Sequence, residues 1–169
     1  MMELNQKTLR GILARILSVD ESFIVPKQGN WYNPQESESA PDTWCAYIIR
    51  SNVPITVPFY VKSNDQRSNS AATQKVATID LQFVGEQAED IAQSVAFWAL
   101  REDVQREFAA VRGAIMYDQM QAQSSPFIQD GANSVTAWNV TIHVAWYHVI
   151  DTAQKRMPPI LTGGNIRNL

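Results

Sequence analysis

Histidine and cysteine, the side chains most often used for metal binding and nucleophilic chemistry, are scarce in this sequence, and its two histidines stand close together. Both histidines, His143 and His148, fall in the stretch VTAWNVTIHVAWYHV, Val135 to Val149, beside two of the five tryptophans. Imidazoles are the commonest zinc ligands and the commonest acid–base groups near neutral pH. Spacing decides whether these two can cooperate. In an extended strand, residues an even number apart share a face and residues an odd number apart do not. His143 and His148 are five apart, so on a strand they point to opposite sides and cannot hold one ion. The even positions Trp138, Val140, Ile142, Val144 and Trp146 form an apolar face. The odd positions Ala137, Asn139, Thr141, His143, Ala145 and Tyr147 form a mixed one. That alternation predicts a half-buried antiparallel strand, and its β-branched and aromatic content argues against a helix.

The other reactive side chains are isolated. Cys45 is the only cysteine, so it has no partner for an internal disulfide, and it stands in an apolar run, which predicts a buried thiol. Glu89 and Asp90 are adjacent, point in different directions on a helix, and are accounted for by the positive end of the helix dipole. Asp118 alternates with Met116 and Met120 on an expected strand and shows no partner in the local sequence. No GxGxxG, GxxxxGK[ST], CxxC, HExxH or GxSxG motif occurs, which removes the common dinucleotide, phosphate, zinc and serine-hydrolase signatures. The sequence therefore predicts no catalytic residue, no cofactor and no metal. The competing reading from another class is a small metal-dependent hydrolase that uses Asp118 with His143.

The elements that position these groups follow from periodicity. Leu9, Ile12, Leu13, Ile16 and Leu17 recur at helical spacing and predict an amphipathic helix over residues 4–19. A long loop follows at 26–42, rich in Pro, Gly, Asn and Ser, and loops of that length tend to be functional or to order against a partner. Trp44 to Ser51 is an almost continuously apolar strand, while Pro54 and Pro58 restrict the next segment to an edge or an irregular strand. Residues 62–74 are polar and predict a flexible excursion. Ala77, Ile79, Leu81 and Phe83 then alternate as a second strand that Gly85 ends. EQAEDIAQSVAFWALRE predicts a helix with Ile91, Val95 and Trp98 facing inward. A short second helix follows a break near Asp103 and is closed by Gly113 as a C-cap. AIMYDQMQA is then an expected strand, followed by turns at Ser124–Pro126 and at QDGAN. The fold class is α+β: an antiparallel or mixed sheet with amphipathic helices on one face. Residues 1–150 are expected to form one domain, and 151–169, with Pro158-Pro159 and Gly163-Gly164, an extended tail.

The 169 residues are enough for one sizeable core, and 45% hydrophobic content places the chain in the globular class. With 14 basic and 17 acidic residues there is no basic footprint for nucleic acid. No signal-peptide run and no stretch of about 18 apolar residues is present, which predicts a soluble protein of the cytoplasm with no membrane partner.

The run VATIDLQFVGEQAEDIAQSVAFWAL resembles the neck or tail terminator proteins of tailed bacteriophages, in which a Q-x-x-G-x-x-A-x-D-x-A pattern joins strand to helix. Gln82, Gly85, Ala88, Asp90 and Ala92 occupy it here. SPFIQDGANSVTAWNVTIHVAWYH is similar to that family's proline-apolar segment, Asp-Gly turn and long final strand, through Pro126, Ile128, Asp130, Gly131 and Trp138 to Tyr147. The loop before the first strand is similar at Gln28, Asn30, Pro34 and Pro41, although it lacks an Arg-Pro pair and its prolines are spread apart. The resemblance covers roughly residues 25–150. It implies a structural virion protein of the neck, assembled in the host cytoplasm. Such a protein forms a ring of its own copies, six in the family's usual form, that stops growth of the tail tube and faces the head connector or adaptor proteins. Tail tube and sheath protein are further implied partners, and genomic DNA would pass through the lumen without specific binding. The nearest rival in the same class is a head-completion or connector protein. A closed head-to-tail ring needs two complementary side surfaces. The residues expected to supply them are Trp31 and Tyr32 in the long loop, Asp65 and Arg67 in the polar excursion, and Ile160 and Leu161 in the tail.

Overall fold

Alternation along two long strands governs the architecture. The computed structural model describes residues 4–26, 43–57, 59–62, 69–118, 120–129 and 133–152. Helix α1 spans Gln6–Leu17, and strands β1, β2, β3 and β4 span Ile24–Pro26, Thr43–Pro54, Phe59–Lys62 and Asn69–Gly85. Helices α2 and α3 span Ala88–Val95 and Glu102–Ala109, and strands β5, β6 and β7 span Gly113–Ile115, Gln123–Gln129 and Asn133–Thr152.

β4 and β7 form the spine of a seven-stranded sheet, paired antiparallel without a register break from Val84/Ala137 to Asn69/Thr152. The other edge of β4 is shared by β2 and, further along, β3. The other edge of β7 is shared by β5 and β6. β1 pairs parallel with β2 at Ile24–Pro26, so the sheet is mixed with a single parallel pair among the described residues.

The register stacks Phe83 with Trp138, Leu81 with Val140, Ile79 with Ile142 and Ala77 with Val144. These apolar pairs form one core with Leu9, Ile12 and Leu13 of α1, Val95 of α2, Trp98, and Val104 and Phe108 of α3. The α+β expectation, with helices on one face, is what the structure shows. Burying a side chain such as Phe108 or Ile142 stabilises by roughly 1.5–3 kcal/mol. The opposite face carries the alternate residues, among them Asp80 with Thr141 and Thr78 with His143. At its far end, a smaller apolar cluster of Val25, Trp44, Ala46, Val84 and Ala137 is buried.

Local signals explain the helix ends. The Asn5 side chain accepts from the Thr8 amide at 2.9 Å and caps α1, and Ser18 closes the helix in the left-handed region at φ 55°. Gly85 has φ 121°, which only glycine adopts without strain, and there the chain turns from β4 toward α2.

Several expectations need correction. The second helix does not run to Glu102: α2 ends at Val95, and a 3-10 turn at Trp98–Leu100 leads into α3. That break swings Phe108 and Trp98 onto the same core. Gly113 is not the left-handed cap. Arg112 takes the positive φ, 52°, and Gly113 opens β5 where the chains approach closely, since a Cβ there would lie 3.2 Å from the Ala145 carbonyl. The expected strand AIMYDQMQA keeps only Gly113–Ile115, and Met116–Asp118 leaves the sheet. Ser124–Pro126 is not a turn but part of β6, an edge strand that tolerates the missing proline amide. The polar excursion is shorter than expected at both ends. Lys62 ends β3, and Asn69–Gln74 begins β4, because those residues extend the ladder with β7.

Candidate functional site

The interruption between β5 and β6 creates a polar concavity on the sheet's open face. β5 leaves β7 after Val144 and β6 joins it from Asn139, so the β7 edge between them is bordered by the departing segment. Met116 donates its amide to the His143 carbonyl at 2.8 Å, the last tie before the chain swings out. The swing brings Asp118 back over the sheet, where its Oδ2 lies 3.1 Å from His143 Nδ1. The two residues line a cavity of about 260 Å3 with Met120, Gln121, Gln123, Asn139 and Thr141. The pair singled out by the hydrolase reading is therefore brought together. An acid–imidazole pair orients a base, but catalysis also needs a nucleophile in reach of that base. Thr141 stands two residues along the same face, and its hydroxyl donates to Asp80 Oδ1 at 2.8 Å instead. Asp80 also accepts from Arg50 Nε, so its carboxylate links β2, β4 and β7 across the open face.

His148 lies on the other face, with its ring edge-on to Trp146 at 5.6 Å between centroids. The two histidines are separated by the sheet, as their odd spacing requires. Among the described residues, no group of three or more His, Cys, Asp or Glu is placed to share a metal ion. Cys45 is buried, and desolvation pushes its thiol well above the ordinary range, against a smaller opposing hydrogen bond from the Gln82 backbone. A thiol held protonated in this way is a packing group, not a nucleophile.

The exposed apolar residues lie elsewhere. Val53, Ile55 and Val57 follow one another where β2 gives way to β3, and Val57 is 84% exposed. Thr56 pins this bend, its Oγ1 accepting from the Gln74 amide and its carbonyl from the Thr73 hydroxyl. Phe97 and Leu100, 62 and 68% exposed, project from the break between α2 and α3, and Tyr117, 76% exposed, from the segment after β5. These two places are neighbours, because one side chain ties them. Gln105 Nε2 donates to the carbonyls of both Ala99 and Ile115, at 2.9 and 3.0 Å, and Gln105 Oε1 accepts from the Ile115 amide at 3.0 Å. The glutamine thus satisfies both outward groups of Ile115 and closes the β5 edge against another strand.

Sequence reasoning missed these exposed positions. Phe97 and Leu100 sit off the stripe of Ile91, Val95 and Trp98, and that off-stripe placement is the signal that could have found them. The residues it did choose for interfaces, Trp31, Tyr32, Asp65, Arg67, Ile160 and Leu161, all lie outside the described residues. Among the described residues no helix is long and apolar enough to cross a membrane.

The sequence profile of the phage neck terminator protein family matches residues 6–166, nearly the whole chain. No curated protein matches it.

Proposed function

The chain belongs to the phage neck terminator protein family and has a structural role in the phage neck; from that premise we propose that its copies close into a ring at the head-proximal end of the tail. The ring stops growth of the tail tube and offers its other side to the head connector or adaptor proteins. Six copies are the number we expect, with the tube and any sheath protein as neighbours on the tail side. The DNA passes through the lumen without being gripped, in keeping with a chain of net charge −3 that offers phosphates no basic footprint. Assembly takes place in the host cytoplasm. We propose no enzymatic activity.

What carries this reading is the family match over residues 6–166. The surface supports it. Large apolar side chains stand exposed at two separate places, the β2–β3 bend and the α2–α3 break. Ring closure by head-to-tail contacts uses two unlike patches of this sort on each copy. For the interface itself we propose Trp31, Tyr32, Asp65, Arg67, Ile160 and Leu161, with residues 1–150 as the folded unit and 151–169 as a reaching tail.

Electron microscopy of the purified protein mixed with tail tubes tests the proposal. Rings seated on one end of each tube, together with tubes of uniform length, are the expected result. Tubes that never carry the protein would refute it, and rings found only on the head portal would reassign it to the connector. The Asp118–His143 pair is tested separately by hydrolase assays with and without chelator, for which no turnover is expected.

A further inference from the structure

A second concavity lies on the helix side of the sheet, at the end where β4 turns into α2. It has a volume of about 270 Å3, and its walls are mainly apolar: Leu17, Val19, Phe23, Trp44, Phe83 and Ile91 contribute. The acids nearest it along the chain without a basic neighbour are Glu86, Glu89 and Asp90, which flank the lining residues Gln87 and Ile91 at the start of α2, whereas Asp20 and Glu21 stand beside Arg10. Glu86 precedes the lining residue Gln87, and Asp90 precedes the lining residue Ile91. An apolar trough with acids at one end selects a segment that is itself apolar and basic at one end.

One stretch of this chain has that chemistry. Residues 153–169 carry Lys155, Arg156 and Arg167 and no acid, and the sequence KRMPPIL places two bases directly before Met157, Ile160 and Leu161. Pro158 and Pro159 each have a fixed φ, which lowers the entropy that this stretch loses when it binds in a trough.

Reach decides whose tail can enter. Phe83, in the groove wall, pairs with Trp138 of β7, and β7 then runs unbroken to Thr152, 14 residues on. At about 3.3 Å per residue the tail starts roughly 46 Å along the sheet from the groove. Ile160 is eight residues beyond Thr152. Even fully extended, those residues return no more than about 29 Å. A chain's own Ile160 and Leu161 therefore fall well short of its own groove.

We propose that this groove is the receptor for the tail of a second copy, with Ile160 and Leu161 in the apolar trough and Lys155 and Arg156 against the acids Glu86, Glu89 and Asp90 at the start of α2. Each copy then donates a tail at one end of the sheet and accepts one at the other, a heterologous contact that repeats around a ring. The inference rests on the proposed self-assembly and names the segment and the receptor that join neighbours.

Mixed cross-linking tests it. Full-length chains carrying Val19→Cys and chains carrying Leu161→Cys, both with Cys45→Ala, are combined on tail tubes and oxidised. A disulfide between unlike chains is expected, and Asp90→Lys with Glu86→Lys in the groove chain should lower its yield at least tenfold. Rings visible by electron microscopy without this cross-link overturn the groove assignment alone, as does a yield indifferent to the charge reversal. An equally efficient cross-link inside a single dilute chain carrying both cysteines also overturns it. Absence of rings on the tubes overturns the reading of self-assembly, and this inference with it.

Discussion

The two faces of the sheet are made from the same strands and differ by one residue of offset. On the helix side, Ile79 and Ile142 are fully buried side by side. One position along, Asp80 and Thr141 face the other way and share a hydrogen bond in contact with solvent. The first face derives its stability from removing apolar area from water, which is large and indifferent to partner geometry. The second depends on hydrogen bonds and ion pairs at the surface, which contribute little each and much to specific shape. The difference teaches where a change should unfold the protein and where it should only alter what the surface can meet.

The largest expected effect lies on the helix face. Phe108→Ala removes a fully buried ring between α3 and the sheet and should destabilise by about 3–5 kcal/mol. Urea unfolding followed by tryptophan fluorescence reads this directly. A loss below about 1 kcal/mol would mean that the helices do not hold the sheet as described.

Next comes the boundary between the two regimes, at the β5 edge. Gln105→Ala leaves the outward amide and carbonyl of Ile115 without their side-chain partner and should cost about 1–3 kcal/mol. It should also make the protein associate, since an unguarded edge pairs with other strands. Light scattering alongside thermal unfolding separates the two consequences, and a soluble variant of unchanged stability would show that the edge needs no such closure.

Smaller still is a change on the open face. Asp118→Asn weakens the contact with the His143 ring between two partly exposed groups and should change stability by no more than about 1 kcal/mol. A loss of several kcal/mol would erase the distinction between the faces and would assign the pair a structural role.

The smallest effect belongs to the turn after α1. The Asp20 carboxylate accepts from the Ser22 amide at 2.8 Å, and this hydrogen bond lowers its pKa below the ordinary value of 3.8. A carboxyl whose folded-state pKa is depressed contributes fully above that ordinary value and loses its contribution as pH falls through the folded-state pKa. Stability should therefore decline slightly below about pH 4 in the parent, and Asp20→Asn should remove that part of the decline. Parallel pH titrations of the melting temperature, superimposable in parent and variant, would contradict the assignment.

The helix and strand periods were legible because they are local. The stripe of α1 and the alternation of β7 are fixed by which side of the backbone each residue leaves, so the separation of His143 from His148 needed no knowledge of the rest of the chain. The burial of Cys45 followed from its apolar neighbours in the same way. Other features were not visible at that level. Asp118 meets His143 only because β5 is cut short and the chain swings back over β7, 25 residues away in sequence. Gln105 guards the β5 edge only because the fold brings Ile115 beside α3, ten residues further along the chain.

The sequence by itself determined which residues go inside, which strand carries which face, and the family to which the chain belongs, since each rests on the type and short-range spacing of side chains. Only the tertiary structure decided where strands stop, which edges are closed, and that an apolar groove lies some 14 residues of β7 away from Thr152, where β7 ends. Those outcomes depend on register and on the packing of distant segments, and the free energy of such contacts is a sum over partners that no local window contains.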